Sequence, residues 1–186
     1  MFTTRQISYF DWAANPQQDL FGKRFQDKLE RVLRNRAIIL NAPDTVSYET
    51  QQQHLRKADE DLIDARHTGD VLVAAVFSSP RPKPREKDRL AKGGLLKRAI
   101  ENITDLEAED EVLGIVHALR VHGVTPFHWE LEFPAVFRRG GFDVMVGNPP
   151  CAGKNTIAEG HAMAYPDWLK LVHVESHGNS DLAAHF

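Results

Sequence analysis

Asp143-Val144-Met145-Val146-Gly147-Asn148-Pro149-Pro150 reads as a short buried strand that stops at a turn. Consecutive apolar residues rich in valine predict a buried strand. Pro149 and Pro150 hold φ near about −65° and remove two backbone donors, so pairing ends there and the turn is stiff. The Asn148 amide then offers a donor and acceptors from a rigid platform. An exocyclic amine held between the Asn148 side-chain oxygen and the Pro149 carbonyl would have its lone pair directed at an incoming methyl group. The plainer alternative is a proline turn in which Asn148 caps its own backbone. Both readings stand at this point.

Working outward, Phe127, Trp129, Leu131, Phe133, Val136 and Phe137 crowd the approach, and Gly140-Gly141 precedes a strand predicted from Phe142 to Val146. The composition changes near Gly123, which predicts a helical region over 1–122 and a second region over 123–186. In the first, Phe21, Phe25, Leu29, Val32 and Leu33 recur at helical spacing. Asn41-Ala42-Pro43-Asp44 breaks that helix. A polar helix is predicted from Ser47 to Arg66, with Leu55, Leu62 and Ile63 as its apolar contacts and Gly69-Asp70 as its punctuation. Val71 to Phe77 fits a buried strand or a buried helix equally. Ser78 to Pro84 reads as a connector because of its alternating prolines. Helices are expected from Arg85 to Ile103 and from Leu106 to Val121, the latter with Val112, Leu113, Val116 and Leu119 apolar and His122-Gly123 as its end.

Composition narrows the functional classes. The chain has 186 residues, 42% hydrophobic and 26% charged, enough for a domain with a real core. A formal charge of −3 gives no global attraction to nucleic acid, so such binding needs a local patch. One cysteine excludes an internal disulfide framework and a multi-cysteine zinc site. The start, Met1-Phe2-Thr3-Thr4-Arg5-Gln6, is unlike a secretory leader, and no apolar run approaches the roughly 20 residues that span a bilayer. A cytoplasmic protein is expected.

The segment from Phe127-His128-Trp129-Glu130-Leu131-Glu132-Phe133-Pro134-Ala135-Val136-Phe137 through Gly140-Gly141-Phe142 to Asn148-Pro149-Pro150 resembles the N6-adenine-specific DNA methyltransferases of large restriction-modification proteins, the Eco57I-like type II methylases. The similarity extends upstream around Ala58 to Val121 and downstream through Ala152-Gly153-Lys154-Asn155-Thr156 to Gly178-Asn179-Ser180-Asp181-Leu182. The resemblance implies an α/β fold, with a mostly helical first two thirds followed by a partial Rossmann-like methyltransferase sheet over 123–186. It implies Asn148, Pro149 and Pro150 as catalytic residues. Asn148 and Pro149 would bind the N6 amino group of an adenine flipped from the duplex, and Pro150 would shape the turn beside the methyl donor. It further implies DNA as partner, S-adenosylmethionine as methyl donor and no catalytic metal.

Two positions depart from the family pattern. Cys151 stands where these enzymes usually place an aromatic ring that stacks on the base, so it is expected to bind substrate with a smaller contact face. No strand followed by a Gly-x-Gly turn precedes Gly123, and Gly93-Gly94 lies in a basic helical pattern, so the residues that bind the donor are unknown. In the family, the segment resembling Asn179 to Phe186 leads into a helix and then further sheet strands. The expectation is an internal piece of a larger methyltransferase, inactive alone, with the rest of the parent protein as a partner.

Alternatives remain. Pro150-Cys151 resembles the nucleophile of cytosine-C5 methyltransferases, although Glu101-Asn102-Ile103 precedes the cysteine where those enzymes place Glu-Asn-Val after it. Arg81, Lys83, Arg85, Lys87, Arg89, Lys92, Lys97 and Arg98 form either a phosphate-binding strip of a non-catalytic DNA-binding remnant or a solvated face paired with Glu101 to Glu111. His173 and His177 have a metal-chelating spacing without an evident third ligand, and surface histidines are the plainer reading. Lys154, Asn155 and Thr156 lie close enough in sequence to line the Asn148 pocket, or equally are ordinary polar loop residues.

Overall fold

The computed structural model describes residues 18–79, 81–101, 105–148, 151, 153, 155–157, 165–173 and 180–185. Four long helices dominate: α1 (Gln18–Leu40), α2 (Tyr48–Phe77), α3 (Pro82–Glu101) and α4 (Leu106–Val121). Three shorter ones follow, α5 (Trp129–Glu132), α6 (Pro134–Phe137) and α7 (Tyr165–Val172), and a 3-10 turn covers Leu182–His185. Among the described residues there is no β-strand. The expected α/β fold with a partial Rossmann-like sheet is therefore corrected to an all-helical one. A strand is held by ladder partners, and no backbone hydrogen bond joins residues 142–148 to any described residue.

The chain divides into two compact units. One joins residues up to Gly69 with Phe127–Asp143; the other joins Asp70–Pro126 with residues from Val144 onward. In the first unit, α1 and α2 meet through a tight corner in which the Val46 N–H donates to the Pro43 carbonyl at 2.9 Å. Ser47 caps α2, its hydroxyl accepting from the Thr50 N–H at 3.3 Å. Val32, Ala58 and Leu62 are fully buried between the helices, with Leu29 and Leu131 packed against them. Leu131 brings α5 into this core.

A polar contact fixes α5 more specifically. The Arg66 Nε and Nη2 donate to the two Glu132 carboxylate oxygens at 2.6 and 2.8 Å, a fork geometry that is stronger and more directional than a single bond. Arg36 donates to the Glu132 backbone carbonyl, and Arg66 also reaches Asp59 at 3.2 Å. The hydrogen bond from Arg66 holds the Glu132 carboxyl below its ordinary value of 4.5, against the opposing effect of burial. Arg31 adds a paired contact to Asp61 at 2.6 to 3.1 Å along the same helix pair.

Gly69 does not punctuate α2, which runs through it to Phe77. A Cβ at this position would lie 2.4 Å from the His128 imidazole, so the absent side chain admits that ring. Next to it, five aromatic residues pack edge to face or stacked. Phe127 and Trp129 are 4.9 Å apart, Trp129 and Phe133 are 5.7 Å apart, and the Phe142 ring meets Phe133 at 5.3 Å and Phe137 at 5.8 Å.

In the second unit Val71, Ala75 and Val76 are buried, a helical spacing that resolves the run from Val71 to Phe77 as the last turns of α2. Pro82 and Pro84 lie in the first turn of α3, where the missing N–H groups cost little, so the connector is shorter than expected. On α4, Ala108, Val112, Val116 and Leu119 form one buried stripe. Asp105 caps that helix through the Ala108 N–H at 3.0 Å. Arg120 meets the buried Asp70 at 3.2 Å. A small satellite core comprises Ile157, Leu169 and Leu182, covered by Tyr165 and Trp168.

Gly69→Val should destabilise the folded chain by about 1–3 kcal/mol through overpacking against the imidazole, and His128→Ala should relieve much of that loss. Urea unfolding of the single and double variants measures the coupling; strictly additive losses would refute the contact. The Glu132 pKa is depressed on folding, so its contribution is complete above the ordinary glutamate pKa and is lost as pH falls below it. Glu132→Gln should flatten that acid-side loss and lower stability near pH 7 by about 1–3 kcal/mol, as read from denaturation midpoints across pH.

Candidate functional site

The route to Asn148 starts at α6. The Phe137 N–H donates to the Phe133 carbonyl at 3.1 Å, and the Gly141 N–H returns to the Val136 carbonyl at 3.1 Å. Gly140 and Gly141 have φ of 102° and 113°, a region costly for residues with a Cβ. Two successive glycines therefore turn the chain out of α6 at little steric cost.

Beyond this turn the backbone has no regular secondary structure through Asn148. Val144 is 74% exposed, Met145 56% and Val146 94%, so the predicted burial of this run is reversed. Asn148 is exposed as well, and no hydrogen bond joins its amide to a described residue. Its donor and acceptor groups face water, with none of the described residues enclosing them. Pro149 and Pro150 lie outside the described residues. Cys151 is an exposed free thiol.

The neighbouring candidates are not gathered around Asn148 by any described contact. Asn155 and Thr156 are exposed, and Lys154 lies outside the described residues. His173 is half-buried, its ring 5.0 Å from that of His185 in an edge-to-face pair. His177 lies outside the described residues. Among the described residues no group of three or more His, Cys, Asp or Glu side chains is placed to hold a metal ion.

The basic run on α3 is extensively paired. Arg89 donates to Glu86 at 2.9 and 2.7 Å, Lys92 bonds Asp88, and Arg98 reaches Glu111 on α4 at 3.3 Å. Arg85 is buried and faces Asp167 at 4.0 Å. These contacts make much of the run a neutralised helix face. Asn102 and Ile103, part of the alternative cytosine element, lie outside the described residues.

A methyl-donor cradle of the strand, glycine turn and helix type requires glycine where backbone approaches ligand. Gly93-Gly94 instead lies inside α3, and a Cβ on Gly94 would meet only open space. The described residues do not fit that cradle. Sequence reasoning also passed over Arg36, Arg66 and Glu132, which hold the aromatic approach in place; their separations along the chain, 96 and 66 residues, carry no local signal.

Residues 20–186 match the family described as Eco57I restriction-modification methylase. No curated protein matches, and no solved structure does. No helix among the described residues is long and apolar enough to cross a membrane.

The backbone of Val144 to Asn148, without hydrogen bonds to described residues, should exchange its amide hydrogens at close to unstructured rates, while Val112, Val116 and Leu119 are protected. Hydrogen exchange read by mass spectrometry tests this directly, and protection at Val144 to Val146 equal to that of α4 would contradict the exposure.

Proposed function

The chain belongs to the Eco57I restriction-modification methylase family, and on that premise we propose that it grips the N6 amino group of an adenine in DNA. The observation that carries this reading is the exposed Asn148 amide, free of competing bonds to described residues, at the end of an exposed segment without regular secondary structure. Its side-chain oxygen accepts one hydrogen of the adenine amine and the Pro149 carbonyl accepts the other, which withdraws the nitrogen lone pair from ring conjugation. Pro150 stiffens the turn. The adenine must be outside the helical stack for the grip to close, because N6 is out of reach of this chemistry in the duplex.

Family membership implies a methyl donor, and S-adenosylmethionine is the donor we assign. Since the described residues do not fit its cradle, the reading assigns this chain the holding of the base, without methyl transfer by the chain alone, and the rest of a methyltransferase as its partner in a cytoplasmic setting. Cys151 gives a smaller stacking face than an aromatic ring, a difference of about 1–3 kcal/mol in base affinity.

Fluorescence anisotropy with a duplex carrying an extrahelical adenine tests the grip. The chain should prefer that duplex to one with an extrahelical cytosine. Asn148→Ala should weaken binding about tenfold, the worth of roughly 1.4 kcal/mol, and Cys151→Phe should strengthen it by about ten- to a hundredfold. Equal binding by Asn148→Ala would defeat the proposal. A covalent adduct of Cys151 with a 5-fluorocytosine duplex would replace it with cytosine-C5 chemistry.

A further inference from the structure

Helix α3 has two faces of different character. Arg85, Leu95 and Leu96 are buried, and the helix packs on α4. Lys83, Lys87, Leu90 and Gly94 recur at helical spacing, which places them in one stripe along the axis. All four are exposed.

The fold neutralises the carboxylates of this segment and leaves some of its cations over. Glu86 accepts from Arg89 at 2.7 Å, and Asp88 accepts from Lys92. No ion pair joins the exposed Arg81, Lys83 or Lys87 side chain to a described residue. Positive charge is therefore concentrated at the start of α3 in a chain whose formal net charge is −3. Backbone donors add little to it, since Pro82 and Pro84 have no N–H and the Arg85 N–H donates to the Arg81 carbonyl at 3.2 Å. An anion at this end is held by side chains.

Gly94 is an independent observation on the same stripe. It lies inside α3, where glycine is among the poorest helix formers. A Cβ there would meet nothing within 4 Å, so no described neighbour requires its absence. Bare helix backbone on an exposed face admits the close approach of an external chain. Lys83 and Lys87 lie about 6 Å apart along the axis, and each strand of DNA presents a phosphate about every 3.4 Å, so the two side chains reach neighbouring phosphates of one strand. We propose that Arg81, Lys83 and Lys87 hold the phosphate backbone of duplex DNA along this stripe, with Gly94 letting that backbone run close to α3. DNA as the partner rests on the proposed function, whereas the contact is independent of Asn148 and of base identity.

Fluorescence anisotropy of the full chain with a fully paired duplex, repeated across salt concentrations, tests the contact. Three phosphate contacts predict a slope of log affinity against log salt of about −2.7, a loss of about fortyfold between roughly 50 and 200 mM salt. Arg81→Gln, Lys83→Gln and Lys87→Gln should each flatten the slope by about 0.9, equally for unrelated sequences. Lys83→Arg and Lys87→Arg should retain it. Gly94→Leu should weaken binding about tenfold while leaving the helix content unchanged. A flat salt dependence, an unchanged slope in the triple glutamine variant, or undiminished binding by Gly94→Leu overturns the proposal. Labelled polyglutamate bound as tightly as the duplex would replace DNA with an acidic protein surface. Asn148→Ala should keep the slope of the paired duplex, so a failed base grip and a failed phosphate contact are read separately.

Discussion

The fork between Arg66 and Glu132 ties the aromatic approach to the helices formed by the first part of the chain. Helices α5 and α6 have four residues each, too short to persist by their own hydrogen bonds. They endure because Glu132 is gripped by Arg66 and Arg36, and because Leu131 enters the core of Val32, Ala58 and Leu62. Half-buried ion pairs are often close to neutral against their desolvation cost. This one is favoured by fork geometry and by a further donor to the Glu132 carbonyl, so removing one partner leaves several polar groups unsatisfied. Gly69 completes the arrangement by admitting the His128 ring.

The helices were legible wherever periodicity and local capping agreed. Leu106 to Val121 was readable to the residue, since the Asp105 cap and the stripe of Val112, Val116 and Leu119 act within one element. The end of α2 was not, because Gly69 looked like a stop and its reason for being glycine is a ring contributed from position 128. The run from Val71 to Phe77 was ambiguous for a related reason. Continuous apolar residues suit both a buried strand and a buried helix, and only its neighbours decide.

The predicted strand was an error of a different kind. Val144 and Val146 have strong strand preference, but that preference describes how well side chains fit a sheet already present. A lone extended segment offers unpaired donors and acceptors to water and gains nothing from cross-strand contacts. The family match and the all-helical structure are therefore compatible. The motif can be identified by residue type and order, whereas the sheet expected around it requires contacts absent from the described residues.

This distinction limits what Asn148 contributes by itself. A hydrogen bond to an amine contributes most when its acceptor is already fixed, since ordering a loose side chain and its backbone consumes free energy comparable to the bond. Proline at the next two positions restricts φ there, but Val144 to Gly147 are held by no described ladder. The twin-glycine turn at Gly140-Gly141 and the clamp on Glu132 constrain the near end of this route, not its tip. On the proposed reading, an amide in such a position recognises a base that is already unstacked far more readily than it enforces the geometry that chemistry on that base demands.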